Sequence, residues 1–248
     1  MRQGPNSTTK LTSVVFYEYM LKAYVYDGEF HSSYLDRWNI VAGSTLQHLL
    51  SHPHGRSDLT FLNASNGRNE VHEMDSLAWT AGASVILGGM VTRNQTLVDF
   101  GMSLADTLGA LHETTSISLL PETLVWTPNC DEKYLQDFNL NTCTGTKVVQ
   151  ITDPTYKLRP QAFETWYYAY RVTKNVKYRD RAWSAWVALD RYCRTATGFA
   201  GISDVMAVNG GEKSGGSNGT VVAEVMKYVW LMHADASALA CPVHEREI

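Results

Sequence analysis

Residues able to do chemistry concentrate between Leu158 and Tyr178, in the stretch LRPQAFETWYYAYRVTKNVKY. A helix is expected to open after Pro160. Gln161 and Glu164 stand three residues apart in it, so both side chains project from one face. A carboxyl at such a place can accept or deliver a proton. An amide cannot do so near neutral pH, so Gln161 offers hydrogen bonds and no acid–base chemistry. Trp166, Tyr167 and Tyr170 add a broad aromatic flank, suited to a deep core or to a groove that stacks on sugars.

The elements that must hold these groups read as helices. Apolar residues recur three or four apart in Phe16, Met20 and Ala23, and again in Leu35, Trp38, Ala42, Leu46 and Leu49. The same spacing links Leu77, Ala81 and Val85, and then Leu97, Phe100, Leu104, Leu108 and Leu111. Beyond the Leu158 segment come Ala182, Ala185, Leu189 and Tyr192, and then Val221, Val225, Tyr228 and Met232. About seven helices follow from this, each with one face to bury. Connections alternate between short (Asp27–His31, Thr173–Val176) and long and polar (Ser51–Glu73, Leu119–Pro154, Thr197–Gly219). That alternation suits paired antiparallel helices with functional loops gathered at one end. Lys147–Thr152 and Gly201–Val208 read as short β runs inside the long loops. The expected fold is all-α, an (α/α) toroid of helical hairpins with short β-hairpins in its long loops. Periodicity alone equally allows a generic helical bundle. No repeat of fixed period and no linker is visible, so one domain over 1–248 is expected.

Composition removes several classes of function. A net charge of -4 gives no electrostatic reason to bind nucleic acid or an anionic membrane. No apolar run approaches the roughly 20 residues that cross a bilayer, and the first ten residues lack the apolar core of a signal peptide. Asn-x-Ser/Thr sequons occur at Asn6, Asn63, Asn94 and Asn218, which points modestly to a secretory lumen. Cys130 and Cys143 bracket a short loop able to close as a local disulfide in an oxidising compartment. The glycine cluster Gly210–Gly219 lacks the order of a phosphate-binding loop, since Glu212 separates glycine from Lys213, and it reads as a mobile loop tip.

Several segments, in order, resemble glycoside hydrolase family 47, the class I α-1,2-mannosidases. Leu158-Arg159-Pro160 followed by Glu164 and Thr165 is similar to the family's L-R-P-acid-x-x-Glu-[Ser/Thr] pattern. Tyr17-Glu18-Tyr19 with Lys22 resembles its Y-E-Y helix, and Met74–Gly82 resembles M-D-H-L-x-C-F-x-G. Pro121-Glu122 resembles a G-x-P-E turn, Ala223–Tyr228 resembles A-E-T-L-K-Y, and Ala240–His244 sits where the family reads N-T-E-A-H. The resemblance implies a barrel of seven helical hairpins around a bound Ca²⁺, of which this chain matches the C-terminal half, a partial (αα)7 barrel. It implies inverting, calcium-dependent hydrolysis of α-1,2-linked mannose on a high-mannose N-glycan or glycoprotein in the ER or Golgi lumen, or outside the cell.

Inverting glycosidases use one carboxyl group to protonate the leaving oxygen and another to activate a water. By resemblance, Glu122 and Glu164 are the expected proton-handling groups. Glu18, Arg159, Glu224 and His244 are expected to hold substrate and water. The departures are specific. Gln161 replaces the acid of L-R-P-E, and Val14 replaces a catalytic Asp. Cys241 stands at the calcium position, where a thiol suits a hard cation poorly and only the backbone carbonyl would coordinate. Pro242 follows it in place of Glu. Trp79 occupies a half-cystine position, and no cysteine occurs in 97–112 to partner it. Glu164, Arg159 and Glu224 would then be free to satisfy one another as a buried polar network. Two alternatives accompany a weak or inactive hydrolase: an inert mannose-glycan-binding or quality-control relative, and a truncated gene product.

Overall fold

The computed structural model describes residues 8–65, 70–129, 148–215 and 219–234, with side chains from residue 15 onward and without that of Ser65. Helices α1 (Thr8–Tyr26) and α2 (Ser32–His48) pack as the first pair, and α3 (Thr80–Thr92) and α4 (Gln95–Thr114) as the second. The third pair is α5 (Gln161–Thr173) and α6 (Val176–Cys193). A π-helical stretch, Val221–Met226, then runs into α7 (Lys227–His233). In the sequence this stretch reads as ordinary helix, because Val221 and Val225 are buried either way.

α1, α3, α5 and α7 lie side by side in one row, while α2, α4 and α6 back it. Sequence explains who stands where. α3, TAGASVILGGMVT, carries no charge and buries nine residues, as a helix enclosed by neighbours must. Close approach needs glycine: Gly88 lies under the Trp38 indole, whose Nε1 donates to Ser84 Oγ at 3.0 Å. α4 faces the row with the Leu97, Phe100, Leu104, Leu108, Leu111 stripe, all buried.

Two turns share one grammar. Thr92-Arg93-Asn94 joins α3 to α4, and Thr173-Lys174-Asn175 joins α5 to α6. Each Thr hydroxyl donates to the carbonyl four residues back (Gly88 at 2.7 Å, Ala169 at 2.8 Å). Each basic residue turns left-handed at φ 55° to end its helix. Each Asn side chain then caps the next helix, on Leu97 N and Lys177 N.

The long connections fold into small antiparallel sheets. β1 (Leu50–Ser51) pairs with β2 (Phe61–Leu62), and β3 (Ala64–Ser65) with β4 (Glu70–Val71). β5 (Glu73–Asp75), β6 (Thr123–Trp126) and β7 (Val149–Asp153) form a three-stranded sheet with β6 central, Met74 opposite Leu124 and Leu124 opposite Ile151. β8 (Arg194–Thr195) pairs with β9 (Gly198–Phe199), and β10 (Gly201–Ile202) with β11 (Lys213–Ser214). Because β5 leads into α3 and β7 into α5, the three-stranded sheet sits at the N-terminal ends of the two central helices.

Three expectations need correction. Phe16 is 58% exposed, so the α1 stripe is carried inward by Met20 and Leu21 instead. In 201–208 only Gly201–Ile202 is strand, because Asp204 accepts from Met206 N and starts a turn. The glycine cluster is not loop alone: Gly210 and Gly211, at φ +77° and +69°, turn the chain so that Lys213–Ser214 pairs with β10.

Candidate functional site

Four polar side chains from three helices of the row meet at one point. Glu18 on α1 and Lys22 one turn later form an ion pair at 2.5 Å, and Lys22 Nζ also reaches Glu164 Oε1 on α5 at 2.7 Å. Tyr228 Oη, from α7, donates a short hydrogen bond to the same Oε1. Glu18 and Glu164 are nearly enclosed, at 4% and 5% exposure. Burial, and next the charge of Glu164, push the Glu18 carboxyl up to about 7 against the pull of Lys22. The two carboxylates hold the Lys22 ammonium above its ordinary range, outweighing its burial, and burial likewise raises the Tyr228 phenol. One ammonium thus serves two buried carboxyl groups, and the second charge is kept off by a proton on Glu18 near neutral pH.

A second pair lies at the sheet. Glu122 directly precedes β6; its N–H donates to Asp153 O at 3.1 Å and its carbonyl accepts from Ser76 N at 2.7 Å. Arg159 grips its carboxylate through Nε, at 3.1 and 3.2 Å, and through Nη2, at 2.5 Å. Leu158, immediately before, is buried at φ 59°, a left-handed conformation that a non-glycine residue adopts under strain. Tyr156 Oη donates to Arg159 O at 3.2 Å. Asp75, at the end of β5, accepts from Leu77 N and Ala78 N at 3.0 Å, and burial raises its carboxyl.

Gln161, first residue of α5, borders a small cavity also lined by Ser76, His112, Arg159, Phe163 and Trp166. Among the residues lining this cavity, Gln161 Oε1, Ser76 Oγ and His112 Nδ1 are buried without a hydrogen-bond partner. Burial pulls His112 down to about 4, outweighing Glu113, so its ring is neutral.

Glu18 and Glu164 are thus brought together, and Glu122, Arg159 and Gln161 form an adjoining group. The expected mutual network of Glu164, Arg159 and Glu224 does not form. Arg159 is engaged by Glu122, Glu164 by Lys22 and Tyr228, and Glu224 is half-buried in the π-helical stretch with no ion pair among the described residues. Trp79 packs its ring on Phe61 (5.9 Å) and accepts from Thr165 Oγ1 through its carbonyl, filling the half-cystine position. Val14 lies in α1, with its side chain outside the described part; Cys241, Pro242, His244 and the Cys130–Cys143 loop lie outside the described residues. Among the described residues no group of three or more His, Cys, Asp or Glu is arranged to hold a metal ion. Sequence reasoning gave no role to Lys22, Tyr228, Asp75 or His112. Lys22 was legible, standing four residues after Glu18 on the same helical face. Tyr228 and His112 reach their partners only through tertiary packing, while Asp75 caps the turn directly after it.

Comparison with known proteins places this geometry. The Glycosyl hydrolase family 47 model matches residues 6–245. A mannosyl-oligosaccharide alpha-1,2-mannosidase of Penicillium citrinum is 40% identical over 226 residues, 90% of this chain and 43% of that protein. The enzyme of that name, 1B, from Aspergillus phoenicis is 37% identical over 227 residues, 90% of this chain and 42% of the relative. The chain therefore spans less than half the length of these curated relatives. Among solved structures, an alpha-1,2-mannosidase from Trichoderma reesei superposes with a TM-score of 0.80 at 36% identity, covering 91% of this chain and 47% of that one. The arrangement of paired helices is accordingly part of an (α/α) barrel.

Proposed function

Because the chain belongs to glycosyl hydrolase family 47, we propose that it recognises α-1,2-linked mannose of high-mannose N-glycans and hydrolyses it only weakly. Gln161 carries this reading. Inversion needs a carboxyl that protonates the leaving oxygen and a second that activates water on the opposite face. An amide at the first turn of α5 takes up no proton, and Glu122 beside it is committed to Arg159. Glu18, holding a proton near neutral pH next to Glu164, is the group left able to donate one. Lys22 and Tyr228 orient the pair and stabilise the single charge on Glu164. Proton delivery thus has a candidate, and water activation does not.

A secretory lumen is the proposed compartment, on the family and on the sequons. Calcium is the proposed ion on the resemblance alone. The described residues supply no cluster that fits it, so no step is assigned to it.

The test is mannose release from a Man₉-type N-glycan by the full chain, with and without Ca²⁺, beside Gln161→Glu, with glycan binding measured calorimetrically. The reading expects binding by both, and release by the variant well above that of the unmodified chain. General base catalysis contributes about 10²–10⁴-fold where it is complete. Rapid release by the unmodified chain refutes the proposed loss of catalysis, and absence of binding refutes recognition.

A further inference from the structure

We infer that Asn94 is an N-glycan attachment site compatible with the folded chain, and that the sequon at Asn63 is closed by folding. The inference rests on the proposed secretory setting only for its occurrence in nature; its geometry stands apart from any hydrolase activity.

Asn94 closes the turn between α3 and α4, Gln95 and Thr96 open α4, and all three residues are exposed. Asn94 caps α4 with its carbonyl oxygen, which accepts from Leu97 N at 3.4 Å. Its backbone N–H donates to Gly89 O at 2.8 Å. Its amide nitrogen has no hydrogen-bond partner among the described residues. The two ends of the side chain therefore have separate duties: Oδ1 holds the helix and Nδ2 faces water. N-glycosylation uses Nδ2 alone. A bond forms from that nitrogen to the anomeric carbon of a polyprenyl diphosphate-linked oligosaccharide. The bond from that carbon to the diphosphate oxygen breaks, the lipid diphosphate leaves with the electron pair, and one amide proton is lost. The product keeps one N–H and the whole carbonyl, so the cap survives.

Asn63-Ala64-Ser65 is the opposite case. Asn63 is 6% exposed, its Nδ2 donates to Glu70 Oε2 at 3.0 Å, and its Oδ1 pairs with His72 Nδ1 at 2.8 Å. Its backbone N–H donates to Leu49 O at 2.7 Å, which fixes the residue between β2 and β3. A sugar on Nδ2 would have to leave a side chain that is 6% exposed and held between Glu70 and His72, and would push the β3–β4 hairpin open, so a modified chain cannot reach this fold. The matching turn at Asn175 serves as an internal contrast, because Val176-Lys177 completes no sequon there.

The full chain is secreted from a eukaryotic host behind a cleavable leader, and the folded, monodisperse fraction is digested after enzymatic deglycosylation in isotopically labelled water, with peptides read by mass spectrometry. Labelled Asp is expected at position 94 and unmodified Asn at 63. Thr96→Ala, which leaves the Asn94 cap intact, is expected to abolish the label at 94 without lowering the melting temperature of the deglycosylated protein. An unlabelled Asn94 in the folded fraction, or a labelled Asn63 there, overturns the inference. Mannose release is measured separately on protein made without glycans, so failure of this assignment and failure of the proposed function are told apart.

Discussion

Replacing Glu18 by Gln is expected to remove one part of this protein's pH dependence and to uncover another of opposite sign. In the unfolded chain Glu18 loses its proton near 4.5, and in the fold near 7. Between those values only the native state holds that proton, so raising the pH favours unfolding. The stability is fully present below 4.5 and lost as the pH climbs through about 7. A separation of that size corresponds to about 3 kcal/mol, accumulating at no more than about 1.4 kcal/mol per pH unit. His112 works the other way. Its folded value near 4 lies below the ordinary 6.5, so the unfolded chain takes up the proton first and stability falls as the pH drops through that window. From about 4.5 to 6.5 the two contributions oppose each other, and the unmodified chain hides both. Urea unfolding at pH 4.5, 5.5 and 6.5 on the unmodified chain, Glu18→Gln and His112→Asn separates them. The stability of the unmodified chain minus that of Glu18→Gln should fall by roughly 2–3 kcal/mol across the window. The corresponding difference for His112→Asn should rise by a similar amount. A difference that stays flat for Glu18→Gln would show that Lys22 holds both carboxylates ionised and that no proton is shared.

Other outcomes follow from single contacts. Arg159→Ala leaves the buried Glu122 carboxylate with only Lys157, at 3.8 Å, and should destabilise by about 3 kcal/mol, read as the shift in urea midpoint multiplied by an unchanged slope. Asn94→Ala removes the α4 cap and should lower stability by about 1 kcal/mol, whereas Thr96→Ala should be neutral in the same thermal melt. Gly88→Ala forces a methyl into the Trp38 indole and should destabilise by about 1–3 kcal/mol, with a changed near-ultraviolet circular dichroism signal from the displaced tryptophan.

Most of the helical framework was legible because its signal is local. The α4 stripe, the opening of α5 after Pro160 and the short connection at Thr173–Val176 each reside in a few neighbouring residues. The shared Thr-basic-Asn turn was equally local, yet it repeats at too long an interval to register as a period. The site was legible by residue type and not by partnership. Glu122, Arg159, Glu18 and Glu164 were marked, but which cation serves which carboxylate depends on segments far apart in the chain. Lys22 reaches across to Glu164, and Arg159 back to Glu122. Phe16 misled because helical spacing gives a stripe without saying whether a neighbour stands in front of it.

That last point connects fold to site. α3 and α5 have a row neighbour on each side and keep every large apolar side chain at least half covered. α1, and α7 with the π-helical stretch before it, stand at the two ends and leave Phe16, Tyr19, Val222 and Trp230 more than half exposed. In a flat row, helices packed about 8–10 Å apart would put the axes of α1 and α5 roughly 16–20 Å from each other, with α3 between. Lys22 on α1 nevertheless touches Glu164 on α5 at 2.7 Å, and Tyr228 on α7 donates to the same oxygen. The row must therefore curve, and the Glu18–Lys22–Glu164–Tyr228 cluster must lie on its concave side. Curvature of that sense is what turns successive helical pairs into part of a barrel. The buried charges are thus placed where the curved row needs short reach between alternate helices. Removing Lys22 would leave two enclosed carboxyl groups without a counterion.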